Sequence, residues 1–337
     1  MQNQQDSPSN CLGSSPPVQA NPDIAGIGVV LSFVVCTGLC LVVAMAIAII
    51  DRLAGIVEFY RRCTGNSVRW FFDETAPWWR SPVFWRTVLA HTLLGILNSQ
   101  LIIGVSTQIT SLVKRNGTSV YHFRVLTELA YLGVIAQLAT LVTLRDFFVK
   151  NARVNMFRVV VMVLNLALFG YAMWIQYAVD TLNDVDGYRV ACFLSSLPLT
   201  KASIFRRVVV LGAAITAHFS VFLSMYALES QEVPHWERPR TKLALLRRHG
   251  VPLLEYILTL AYAIYGLVIG VNILKGIQAF GSPSIPVIGA ENEWGFGQIS
   301  PMLMLLGVGL PGFEAFRKEH HQYRKNQARR QEEAILL

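Results

Sequence analysis

Charge is what this chain has least of. Asp, Glu, Lys and Arg make up 15% of its 337 residues, against roughly 25% in ordinary soluble domains. The deficit is uneven: charges fall in short clusters, and long apolar runs separate them, which is the pattern of a polytopic membrane protein. The first 20 residues hold no Lys or Arg. The basic n-region of a cleavable signal peptide is therefore missing, and the first apolar run is too long for an h-region, so it is expected to remain as an anchor. The cysteines, Cys11, Cys36, Cys40, Cys63 and Cys192, match no zinc or haem spacing. There is no P-loop, G-x-S-x-G, H-E-x-x-H or dinucleotide-binding glycine fingerprint. His235, His320 and His321 sit in basic segments without ligand spacing. No cofactor and no metal site is expected.

The net charge of +8 does not point to nucleic acid. No basic stripe with interleaved aromatics occurs outside the segments that flank apolar runs, and basic residues in those positions orient helices. The expected partners are membrane lipid and an apolar small molecule, with no nucleic acid; protein partners stay open.

Seven apolar runs reach the roughly 20 residues needed to cross a hydrocarbon core of about 30 Å. They fall at 24–50, 88–112, 124–144, 156–178, 204–226, 251–274 and 295–315. The expected fold is an all-α membrane bundle of about seven transmembrane helices. Residues 1–22 form a disordered outer tail, 23–316 the membrane domain and 317–337 a basic cytosolic tail. Asp23 can cap the first span, Pro252 stands in the first turn of the sixth, and Pro301 and Pro311 predict kinks in the seventh. Gly266 and Gly270 have the G-x-x-x-G spacing that lets helices approach closely.

Orientation can be counted. With the N-terminus outside and the C-terminus cytosolic, the inner segments hold Arg52 to Arg86, Arg145 to Arg158, Arg238 to Arg248 and Arg317 to Arg330, which is 21 of the 29 basic residues. The positive-inside rule selects this arrangement. The one N-glycosylation sequon, Asn116-Gly117-Thr118, then falls in an outer loop. The membrane is an endomembrane or the plasma membrane. Between the first two spans, Trp70, Phe71, Phe72, Trp78, Trp79, Phe84 and Trp85 alternate with arginines. Two readings fit: a stretch lying on the inner bilayer face, or a loop packed under the bundle. Cys63, after Arg61-Arg62, is a palmitoylation candidate, and Glu332 to Leu337 has the form of an acidic dileucine sorting signal.

Two segments carry a resemblance: Asn21-Pro-Asp-Ile-Ala-Gly-Ile-Gly-Val29, and Glu291-Asn-Glu-Trp-Gly-Phe-Gly-Gln298 entering the last span. Together they resemble a pair of signatures of polytopic membrane proteins of filamentous fungi. The likeness covers the two ends of the chain and implies a multi-pass fold. Some fungal membrane proteins of this size serve secondary metabolite biosynthesis, and several are membrane-embedded terpene cyclases acting on prenylated substrates. By that class analogy alone, the chain is expected to be a cyclase. No aspartate-rich pair for ionising a diphosphate is present, Asn183-Asp184-Val185-Asp186 being the nearest acidic cluster. An acid-initiated, metal-independent cyclisation remains. The alternatives are a receptor-like, transport or accessory protein without catalysis.

Ionisable groups inside a bilayer are costly, so each is a candidate. Glu128 lies about one turn into the third span with Tyr131 at i+3. It is either a proton donor or a structural carboxylate bonded to a neighbouring helix. His218, near the middle of the fifth span, is a base or a hydrogen-bonded packing residue. Glu255 heads a stripe with Thr259, Tyr262 and Gly266 on the sixth span, or serves the helix N-terminus. In the fourth span Phe169, Tyr171, Trp174 and Tyr177 could face a cation or form an interfacial belt. His91, Asn98, Gln100 and Gln108 make the second span polar enough to expect it inside the bundle. Glu291, Glu293, Trp294 and Gln298 gather at the outer mouth of the seventh.

Overall fold

The structure is a computed structural model, described for residues 16–64, 78–179, 185–194, 201–226, 251–278, 283 and 285–336. Cys11, the aromatic stretch 70–72, Asn183-Asp184 and the loop 228–250 lie outside the described residues. So do the side chains of Cys63, Tyr177, Glu255 and residues 330–337.

Among the described residues the chain is all-α apart from one pair of two-residue strands. In order it forms β1 (Val18–Gln19), α1 (Pro22–Ala25), α2 (Ile27–Thr64), a 3-10 turn at Trp78–Arg80, α3 (Pro82–Val113), α4 (Val120–Thr143) and α5 (Arg145–Lys150). It continues with α6 (Ala152–Val179), α7 (Ala191–Leu194), α8 (Lys201–Tyr226), α9 (Val251–Gln278), β2 (Val287–Ile288) and α10 (Phe296–Leu336). Among the described residues six helical stretches are long and apolar enough to cross a membrane: Pro22–Arg52, Pro82–Val113, Val120–Thr143, Asn155–Gln176, Tyr256–Ile277 and Phe296–Arg329. In α8 the apolar part described is the shorter Leu211–Leu223. Helix starts follow local chemistry. Ser81 caps α3 ahead of Pro82, which has no N–H to leave unpaired, and the Ser119 hydroxyl accepts from the His122 amide at the head of α4.

Helix α4 is the axis. Every residue of its spanning window is buried, and α2, α3, α6, α8 and α9 all pack on it. The outer helices instead expose large apolar side chains, among them Val42, Ile102, Val163, Phe219, Leu258, Tyr265, Leu303 and Leu306. Patches of that kind on every peripheral helix are what a lipid-facing surface requires and what water would not tolerate.

Small residues set the closest approaches. A Cβ at Gly266 would overlap Ile135 and stand 2.9 Å from the Tyr131 hydroxyl, and one at Gly270 would meet Leu132 at 2.9 Å. The G-x-x-x-G stripe is thus the face of α9 laid on α4. A Cβ at Gly95 on α3 would stand 2.9 Å from the Val308 carbonyl of α10, and one at Gly312 would overlap Thr92. Thr37 and Cys40 of α2 reach carbonyls of α4, at Leu132 (3.3 Å) and Ala136 (3.4 Å).

One expectation changes here, one open reading resolves and one helix proves longer than its apolar run. Residues 18–22, assigned by composition to the outer tail, are ordered: β1 pairs in parallel with β2, and Val18 is buried. The loop aromatics that are described pack under the bundle: the Trp78 ring lies 5.4 Å from Phe316 and 5.1 Å from His320 of α10. The helix of the seventh run continues beyond 315. One continuous helix runs through Pro301 and Pro311 to Leu336, about 60 Å at 1.5 Å per residue, or twice the hydrocarbon thickness.

Replacing Gly266 with leucine is expected to force α9 away from α4. Overpacking of this kind costs about 1–3 kcal/mol, read as a lower melting midpoint of the purified protein in detergent. Gly276→Leu, where a Cβ meets nothing within 4 Å, should leave the midpoint unchanged.

Candidate functional site

Two buried polar clusters lie on α4, one at its N-terminal end and one a turn or two further along. The first joins the two sequence signatures across 270 residues. The Gln298 carbonyl oxygen accepts from the Gly28 amide at 2.9 Å, and its NH2 group donates to the carbonyls of Glu291 (3.2 Å) and Glu293 (2.7 Å). A Cβ at Gly28 would press on the Gln298 side chain at 2.9 Å, and one at Gly26 would overlap it. These glycines therefore exist for close approach. The Asp23 carboxylate accepts from the Gly297 amide at 3.2 Å, which makes it a cap for α10, not for the first span.

Glu291 is only 4% exposed, and its two oxygens are held by α4. The Tyr121 hydroxyl donates to Oε2 at 2.7 Å, and Oε1 lies 3.1 Å from His122 Nε2. His122 Nδ1 is 2.8 Å from the Ser119 hydroxyl. The tautomer that satisfies both neighbours carries its proton on Nε2, donates to Glu291 and accepts from Ser119. The row Ser119–His122–Glu291 has the order of nucleophile, base and carboxylate. Its serine oxygen, however, already caps α4 by accepting the His122 amide, so the row reads as a fastening. Next to it, segment 185–190 is tied to the same helix end through Val120 N to Tyr188 O (2.8 Å) and an Arg124–Asp186 ion pair. Cys192, in α7 just beyond, is disulfide-bonded, and Cys36 and Cys40 are free and buried.

The inner cluster surrounds Glu128, which is 2% exposed. Its Oε1 accepts from the Gln176 side chain of α6 at 3.0 Å. Tyr131 stacks on Phe169 of α6 with ring centres 5.9 Å apart and shares a hydroxyl hydrogen bond with Tyr262 of α9. Glu128 and Tyr131 thus come together with Gln176, Phe169 and Tyr262, three partners from two other helices. His218 sits apart on α8. Its Nδ1 is 2.9 Å from the Ala214 carbonyl and its ring leans on Phe222, a buried packing position. The Glu255 side chain lies outside the described residues, so its assignment to the Tyr262 stripe rests on helical spacing alone.

The fourth-span aromatics divide. Phe169 is fully buried, so it is not part of a belt, whereas Tyr171 and Trp174 are exposed as a belt would have them. In α3 the polar residues also divide. Gln108 donates to Asn165 at 2.6 Å and Asn98 accepts from Arg158 at 3.0 Å, but His91 is exposed. Asn116 is exposed in the turn between α3 and α4. Among the described residues no group of three or more His, Cys, Asp or Glu could hold a metal ion.

Sequence reasoning placed Glu291 and Gln298 at a helix mouth but missed Tyr121 and His122. Their signal was a polar Tyr-His pair at the start of an apolar run, a turn before Glu128. No family model, curated protein or solved structure matches this chain.

Gln298→Leu should strand the buried Gly28 N–H and two carbonyls. An unsatisfied buried group costs about 1–3 kcal/mol, so the melting midpoint in detergent should fall clearly, whereas Lys318→Ala, at an exposed position, should not move it.

Proposed function

We propose that this is a seven-span membrane protein, N-terminus outside and C-terminus cytosolic, that cyclises an apolar prenylated substrate by proton donation from Glu128. The observation that carries the proposal is a carboxyl group 2% exposed on the described spanning helix whose apolar window is wholly buried, one turn before a tyrosine that meets aromatic rings of two other helices. The protonated acid would deliver its proton to an epoxide oxygen or alkene carbon of the substrate. The resulting cation would be attacked by an internal double bond, and loss of a proton would restore the acid. Phe169, Tyr131 and Tyr262 offer the electron-rich faces that such a cation needs. No diphosphate has to leave, in keeping with the missing aspartate-rich pair.

The seventh span would be α8, whose 26 residues are long enough at about 1.5 Å each. Supporting the orientation are the basic residues of the inner segments and the disulfide at Cys192 beside the outer end of α4, since disulfides belong to oxidising compartments. A second reading, a receptor-like protein, is favoured by one feature: α10 links the outer fastening to a basic inner extension as one helix.

Deleting the gene in its host and comparing extracts by mass spectrometry should show a linear prenylated precursor in place of its cyclic isomer. Restoring the gene with Glu128→Gln should leave product roughly 10²–10⁴-fold lower, the usual share of a general acid, with normal membrane insertion. An unchanged metabolite profile, or full product from the variant, overturns the cyclase reading. For orientation, a tag after Leu337 is expected to resist protease in intact cells, and a tag before Met1 to be cleaved.

A further inference from the structure

Cys192 is disulfide-bonded, and the chain offers it four other cysteines, Cys11, Cys36, Cys40 and Cys63. Cys36 and Cys40 are free on the buried face of α2. The partner is therefore Cys11 or Cys63, and the elements that flank these two decide between them.

Cys192 is fixed to the N-terminal end of α4. It stands in α7 (Ala191–Leu194), and its amide donates to the Arg189 carbonyl at 3.0 Å. The residues before it are laced to the start of α4: Val190 N donates to Thr118 O at 3.1 Å, Val120 N to Tyr188 O at 2.8 Å and Tyr121 N to Asp186 O at 3.1 Å. Cys63 belongs to the opposite end. Helix α2 runs parallel to α4, since Thr37 reaches the Leu132 carbonyl and Cys40 the Ala136 carbonyl. Its first turns lie at the start of α4, where Val29, Val30 and Phe33 share a cluster with Tyr121 and Val125. Between Val29 and Cys63 this one helix rises about 50 Å at 1.5 Å per residue, and a disulfide needs Cα atoms within roughly 7 Å of each other. Cys11 precedes Val18 instead, and Val18 is buried in the same cluster as Tyr121. The chain from Cys11 to Val18 can reach about 25 Å, more than two helix-to-helix spacings of about 8–10 Å.

We infer that Cys11 and Cys192 are joined by a disulfide that straps the N-terminal segment to the end of the bundle beside the Gln298 fastening. Its formation is a thiol–disulfide exchange: Cys11 SH and Cys192 SH with a donor disulfide R–S–S–R give the new S–S bond and two R–SH, the donor being the reduced partner. Such bonds persist in oxidising compartments, so this end of the bundle faces one. Four spanning helices, α2, α3, α4 and α6, lie between the two cysteines, an even number that returns the chain to the side it left. The strap also holds β1 and α1, which bring Asp23 and Gly26 to the head of α10. The bond does not depend on the cyclase reading.

The test uses the full chain, purified without reductant, alkylated, and digested with trypsin and an endoproteinase that cleaves before aspartate. Mass spectrometry should find peptide 6–22 linked to peptide 190–201, the two separating on reduction. Cys11→Ser and Cys192→Ser should each lower the melting midpoint in detergent by about 5 °C or more. The double variant should fall no further, because both changes remove one bond. Cys63→Ser should leave the midpoint in place. Alkylated Cys192 in the oxidised protein, peptide 63–69 linked to 190–201, or a Cys192-dependent dimer on a non-reducing gel overturns the pairing. A midpoint that neither single variant moves overturns the strap. The tags at Met1 and Leu337 read orientation separately, so alkylated Cys192 on a face they place outside would overturn the bond and leave the orientation standing.

Discussion

A helix with no lipid-facing side can stay in a bilayer only if protein meets every one of its faces, and α4 imposes that condition on the rest of this fold. Five long helices pack around it, and where the approach must be closest the partner supplies glycine, as Gly266 and Gly270 do on α9. Complete enclosure is also what allows α4 to carry Thr127, Glu128, Gln137 and Thr140, each no more than 2% exposed. On a peripheral helix the same residues would face hydrocarbon at a cost of several kcal/mol for the carboxyl group alone. The enclosed axis therefore concentrates the polar groups of the bundle where their partners can be chosen, and the Glu128 cluster is a consequence of it.

The fastening at the N-terminal end of α4 completes the enclosure. Helices α2 and α10 come from opposite ends of the chain and run side by side next to α3. Their relative position is set by Gln298 against Gly26 and Gly28, and by Asp23 against Gly297. Glu291 then ties this pair to the start of α4 through Tyr121 and His122. A buried carboxylate with each oxygen bonded to a different side chain of α4 fixes register more sharply than apolar packing, because a shift of one residue leaves a charge without a partner. Since α10 is continuous to Leu336, the aromatic contacts of Phe316 and His320 with Trp78 are carried on the same helix that the Gln298 fastening positions.

Much of the architecture was legible as composition. Apolar runs of spanning length are a one-dimensional property, so the helices at 88–112, 124–144 and 156–178 emerged close to their observed ends. Boundaries failed where polar chain continues a helix, as beyond Ile50 in α2 and beyond Ala315 in α10, because hydropathy reports the solvent of a helix and not its length. The site was legible only in part. Glu128 stood out as an ionisable residue in an apolar run, and Tyr131 followed from its i+3 spacing. Gln176 and Tyr262 did not follow, since nothing in a sequence says which faces of separate helices meet. Phe169, grouped with Tyr171 and Trp174 by proximity in the chain, belongs instead to the interior with Tyr131.

By itself the sequence determined that the chain is helical, multi-pass and strongly apolar, and that its basic residues gather beside alternate ends of the apolar runs. Those are effects of transfer between water and lipid, which each segment registers independently. The tertiary structure decided which helix became the enclosed axis. It also decided that the two signatures at the ends of the chain clasp one another, and that Glu128 meets Gln176 of α6. Each of these depends on the fit of one helix face against another, a pairwise property that no single segment carries.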